Sequence, residues 1–214
     1  MGGGTRHARS SRPHSGAGSR AYGSSEGPKL AHRAALSGLP RPGDLSFGPR
    51  NVLVEHMVLS RIKAIAEAAA FRHEVGGILL GSYRGRDLHV IDASAPQNSD
   101  RWSPTRFWRS PAGHQAFADA AWRRSGGLVT HIGEWHSHPE LRPTPSVIDR
   151  ASWLKSRREQ RRPLAFLIVG TADVCVCADA ELGTIRALVP IDQDEMGVLF
   201  GHPLSDPSRP VTVS

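Results

Sequence analysis

Gly133-Glu134-Trp135-His136-Ser137-His138-Pro139, followed after a short gap by Pro143-Thr144-Pro145-Ser146-Val147-Ile148-Asp149, is the most informative stretch of the chain. His136 and His138 are two apart, so at a strand end both imidazoles face one side and can reach one ion at roughly 2.0–2.1 Å. Pro139 lacks a ladder donor and stops the strand, and the loop through Pro143 and Pro145 turns the chain back. Ser146 then opens a helix, and Asp149, one turn in, offers its carboxylate to the same ion. Two neutral imidazoles and a carboxylate leave a fourth position for water, which separates a catalytic zinc site from a structural one. Ser146 and Asp149 also have a plainer reading. Ser-x-x-Asp resembles a capping box, and an acid in the first turn suits the helix dipole. A cap can fix the geometry that ligation uses, so the two readings are compatible.

Hydrolysis at such a site needs a base to take the proton of water and return it to the leaving amine. Glu74, just before Gly76-Gly77, and Glu134, two residues before the first histidine, are the candidates. Glu134 alternates with the histidines along the strand, so it faces their pocket or orients a ligand from behind. Its role stays open here.

The spacing His136-x-His138, seven residues, Ser146, two residues, Asp149 resembles the JAMM (MPN-plus) metalloprotease motif. Glu74, in Glu-Val-Gly-Gly-Ile-Leu-Leu-Gly, matches that family's upstream glutamate. The resemblance implies one Zn²⁺ per chain on His136, His138 and Asp149, with Glu74 as general base and Ser146 supporting the oxyanion. Within the family, Gly-Glu-Trp-His-Ser-His-Pro is similar to the bacterial isopeptidases of CBASS anti-phage operons. Phe107-x-Arg109, His114-Gln115 and Trp122-x-x-Ser125 agree with that subgroup. Those enzymes release a cGAS-like nucleotidyltransferase from conjugates joined at its C-terminus. The implied partner is therefore a protein with an extended C-terminal tail, a conjugated nucleotidyltransferase, lying against a sheet edge and ending in small residues. Trimming of a ubiquitin-like or sulfur-carrier precursor is the alternative. A DNA-associated RadC-like protein ranks lower, because only a low-complexity tail stands where its helix-hairpin-helix would be.

Around this stretch the chain reads as one α/β domain over 47–200, a mixed central sheet flanked by helices of JAMM/MPN type. Strands are expected at Val52–Val54, Val75–Tyr83, Leu88–Ile91, Leu128–Trp135, Leu164–Val169, Val174–Ala178 and Ile185–Ile191. Helices are expected at Val58–Ala70, Ala112–Arg124 and Ser146–Gln160. Pro96–Pro111 reads as a long ordered loop, with Trp102, Phe107 and Trp108 as buried anchors or, alternatively, a cradle for a partner's tail. His114 and His131 read as structural or surface residues. Arg157, Arg158, Arg161 and Arg162 read as a solvated helix face and end.

Residues 1–46 are Gly, Ser, Arg and Pro with few large apolar side chains, so a disordered tail is expected, as is a loose tail over 201–214. A translation start at Met57 is the alternative explanation of the leading stretch. The tail holds seven basic residues against Glu26 and Asp44, so it carries most of the net charge of +7. The remainder is nearly balanced, which argues against a nucleic-acid partner. Cys175 and Cys177 make no disulfide framework, and no apolar run is long enough to span a bilayer. A cytoplasmic enzyme without a membrane partner is the resulting expectation.

Overall fold

The computed structural model describes residues 49, 51–103, 106–180 and 184–203, all within the compact unit Ala34–Ser214. The tail expected over 1–46 and residues 204–214 of the tail expected over 201–214 lie outside the described residues, while Gly201 belongs to a strand instead. The chain runs β1 (Asn51–Glu55), α1 (His56–Ala68), β2 (Gly76–Arg84), β3 (Asp87–Ala93), β4 (Arg101–Ser103), β5 (Arg106–Trp108), α2 (Pro111–Arg124) and β6 (Thr130–Ser137). It continues with α3 (Val147–Gln160), β7 (Ala165–Val169), β8 (Val174–Asp179), β9 (Ile185–Gln193) and β10 (Gly197–Gly201).

Eight strands pair in the order β1-β10-β9-β8-β7-β6-β2-β3, and β1 pairs with β3 to close the ring. The sheet is mixed as expected: β1/β3 and β6/β7 are parallel and the other pairs antiparallel. The strands close into a ring rather than forming a central sheet flanked by helices. The difference comes from β10, which sequence reading missed: it fills the gap between β1 and β9 and so removes both edges. The loop expected at Pro96–Pro111 also holds structure, a separate two-stranded sheet of β4 and β5 in which Trp102 faces Phe107.

Strand β7 shows how the core is divided. Ala165, Leu167 and Val169 face one cluster, shared with Val52, Val54, Leu79 and Val90 and with Val58, Ile62 and Ala66 of α1. Phe166 and Ile168, pointing the other way, pack under Trp153 of α3. Helix α2 covers Ile78 and Leu80 with Ala121 and Phe117. The β2–β3 turn uses Gly85 at φ 62°, a left-handed conformation that glycine adopts without penalty. Because β6 and β7 are parallel, a crossover must join them, and α3 is that crossover. It carries the chain from the C-terminal end of β6 back across the sheet, and its first turn lands beside the histidines. No helix among the described residues is long and apolar enough to cross a membrane.

Candidate metal centre

Strand β6 delivers His136 in its last turn of pleat and His138 just beyond its end. The two Nε2 atoms face each other at 3.1 Å. Asp149, in the first turn of α3, brings Oδ1 to 3.3 Å from His136 Nε2 and Oδ2 to 3.6 Å from His138 Nε2. Two imidazole lone-pair positions and a carboxylate crowded around one point repel one another unless a cation stands between them. Ligands held at ~2.0–2.1 Å around a tetrahedral ion stand ~3.3–3.4 Å apart, and the histidine pair at 3.1 Å and Asp149 Oδ1 at 3.3 Å from His136 lie near that edge length. These three residues are the one such group among the described residues, and they fit a metal ion.

The first turn of α3 is built to hold the carboxylate. The Ser146 N–H donates to Asp149 Oδ2 at 2.7 Å, and the Asp149 N–H donates to Ser146 Oγ at 3.1 Å, a reciprocal capping box. Burial alone would raise the Asp149 carboxyl, but His136 and the Ser146 groups together hold it well below the usual range. His138 is lowered, first by burial and then by the neighbouring His136, which keeps it neutral and able to donate a lone pair. Its outer nitrogen Nδ1 lies 3.6 Å from Glu140. Beneath His136, Trp153 stacks on Phe166 with ring centroids 4.6 Å apart and forms the floor.

Glu74 approaches from the other side, with Oε1 3.7 Å from His138 Nε2. Burial raises its pKa, and neighbouring His136 and the Phe107 backbone N–H partly offset this. Glu134 lines the same cavity but is tied down: Oε1 accepts from Arg109 at 3.1 Å and from Ser156 Oγ at 3.0 Å. Its carboxylate is a strut between the segment after β5 and the middle of α3. The cavity, about 360 Å³, runs between the β4–β5 sheet and α3, with Glu74, His136, Ser146 and Asp149 at its base.

Several side chains depart from their expected roles. Trp102 and Trp108 are 55% and 43% exposed rather than buried anchors. Arg157 is not simply solvated, since its Nε lies 2.7 Å from Asp179, a carboxylate buried under α3. His114 is fully buried and joins Ser94 and Asp100 in a chain that sequence reading did not find. No spacing signals it, because the three meet only through the tertiary fold.

The family described as prokaryotic homologs of the JAB domain matches residues 56–182. A Pseudomonas aeruginosa protein named CD-NTase/cGAS isopeptidase is 43% identical over 99 residues, which cover 45% of this chain and 63% of that protein, just under two thirds of its length. Proteins of the same name from Vibrio cholerae and Escherichia coli are 36% and 32% identical. Those matches cover 57% and 59% of this chain and 78% and 80% of theirs. The matched stretch contains the histidine pair, the capped aspartate and Glu74 across from them; the chain belongs to the family of prokaryotic homologs of the JAB domain.

Proposed function

We propose that this chain is a zinc-dependent isopeptidase of the bacterial cytoplasm, acting in anti-phage defence. Its substrate is a CD-NTase nucleotidyltransferase conjugated through an extended C-terminal tail. The observation that carries the reading is the convergence of His136, His138 and Asp149 opposite Glu74, at the base of a groove open to a peptide. The relatives' names supply the substrate class.

His136, His138 and Asp149 would hold the zinc, which when bound would supply a Lewis acid for the scissile carbonyl and lower the pKa of water toward ~7. Glu74 takes the proton of the attacking water on its carboxylate. It then passes that proton to the amine nitrogen as the C–N bond breaks, leaving a carboxylic acid on the tail and a free amine on the target. The raised pKa suits this exchange, since a carboxylate that is too acidic accepts a proton poorly. Ser146 Oγ accepts the Asp149 N–H, which leaves its own O–H free to donate to the developing oxyanion. Arg109 and Ser156, joined through Glu134, hold the two walls of the groove apart.

Among the described residues the closed ring of eight strands offers a tail no edge and the β4–β5 sheet pairs with no other strand, so the expected sheet-edge contact moves to that small sheet. Exposed Trp108 on that sheet and Ile148 on α3 line the groove and give it apolar surface suited to a protein ligand. The test is cleavage of a fluorescent reporter fused after a CD-NTase C-terminal tail, with matched fusions to ubiquitin-like and sulfur-carrier tails. Cleavage at the end of the CD-NTase tail, abolished by chelator and restored by zinc, supports the reading. Preference for another tail would replace the substrate, and chelator-insensitive cleavage would remove the metal.

A further inference from the structure

Ser94, His114 and Asp100 form a buried chain apart from the metal centre. His114 Nδ1 lies 2.7 Å from Ser94 Oγ, and Nε2 lies 3.0 and 3.3 Å from the two Asp100 oxygens. The order serine, histidine, aspartate is that of an activated nucleophile. Ser94, however, is 1% exposed, and its Oγ accepts the Ile78 N–H at 3.0 Å, so no carbonyl can reach it. Protons are fully accounted for with His114 neutral, as burial keeps it: Nε2–H donates to Asp100, and the Ser94 hydroxyl donates to Nδ1.

What the chain joins gives its purpose. Asp100 accepts the Gln97 N–H at 2.6 Å, before β4, and the Ser110 N–H at 2.7 Å, after β5. Both feet of the β4–β5 hairpin therefore converge on one carboxylate. At the other end, Ser94 grips β2 through Ile78, and its carbonyl accepts from Trp135 Nε1 of β6 at 3.0 Å. The hairpin in turn bears on the base. The Phe107 N–H points to the Glu74 carboxylate, and the Phe107 ring sits over Gly76, where a Cβ would stand 3.0 Å from it. Trp102 stacks on His73, next to Glu74, with centroids 5.0 Å apart.

We propose that Asp100, His114 and Ser94 are positioning residues that brace the β4–β5 hairpin against β2, setting both the orientation of Glu74 and the wall of the groove that receives the tail. This rests on Glu74 being the base. Two variants of the full-length, zinc-loaded enzyme test it. Ser110 has φ −82°, which proline accepts, so Ser110→Pro deletes one clamping N–H without altering a buried side chain. Asp100→Asn keeps the shape and turns one acceptor into a donor facing an N–H.

With the reporter fused to a CD-NTase tail, both variants should raise KM and lower kcat, each at least fivefold, at unchanged zinc stoichiometry. Hydrogen exchange should quicken at Phe107 and Trp108 while β7 stays protected. Kinetics within twofold of the parent in Ser110→Pro, or unchanged hairpin exchange, would overturn the proposal. So would loss of zinc or of β7 protection in both variants, which would make the chain a general stabiliser. A Glu74→Gln enzyme that still cleaves would instead sink the reading of the base, leaving the exchange result intact.

Discussion

Replacing Glu74 with Gln keeps the side chain's size and removes its ability to take a proton. Cleavage of the tail fusion should fall by ~10²–10⁴, the usual worth of a general base, while metal analysis still finds one zinc per chain. His138→Ala should lose the metal itself. His131 makes a prediction of a different kind. Burial first, then Arg162 and Arg109, push it down to about 3, and its Nε2 has no partner. Between pH 6.5 and 3 the unfolded chain binds a proton there that the folded chain refuses, so stability falls as pH falls. From pH 7.5 to 5 the loss is about 2 kcal/mol, and denaturant titrations of His131→Met should show a flatter slope than the parent by that amount. That His136, His138 and Asp149 come together was readable because they follow one another at fixed short spacing: two strand-end histidines, then a capped aspartate. Ser94, Asp100 and His114 were not, since no local rule links a residue after one strand to a histidine in a later helix. Arg109 and Ser156 escaped for the same reason, and with them the meaning of Glu134.

Helix α3 is polar over most of its length, with only Trp153 buried, so its hold on the sheet depends on a few anchors. One is Arg157 to Asp179, a carboxylate that also accepts the Leu164 N–H at 3.2 Å. Burial outweighs the attraction of Arg157 and pushes Asp179 up to about 6. Removing one partner still strands the other, and Asp179→Ala should cost about 3 kcal/mol at pH 7 in chemical denaturation. Because α3 carries Asp149, zinc affinity should weaken in the same variant. Most elements could be read from periodicity and punctuation: the Ile62 and Ile65 spacing of α1, the apolar run of β7, the turn around Gly85. Two could not. Strand β10 is a five-residue run with glycine at both ends, where glycine ordinarily signals a break. Strands β4 and β5 are three residues each, too short for any alternation to show.

The ring of strands needs β1, and this bears on where the domain must start. Val52 and Val54 are fully buried and pair with β10 on one side and β3 on the other. A chain beginning at Met57 would lack that strand, expose two edges and lose part of the core. Expressed side by side, a form beginning at Phe47 should match the full chain in melting temperature and cleavage, and a form beginning at Met57 should be insoluble. The overall class, a mixed sheet with three helices, followed from the order of elements. Closure did not, because it hangs on which strands meet across nearly the whole chain, as Asn51 meets Gly201.

That same pairing places the first residue of β1 and the last residue of β10 about 5 Å apart, the spacing of opposed residues on neighbouring strands. A linker of a few residues could therefore join them, and the polypeptide could be reopened at the Gly85 turn to give a circular permutant with the groove intact. Such a rearranged enzyme would present its new ends next to Tyr83 and Leu88, giving a choice of attachment point that the natural order of the chain does not offer.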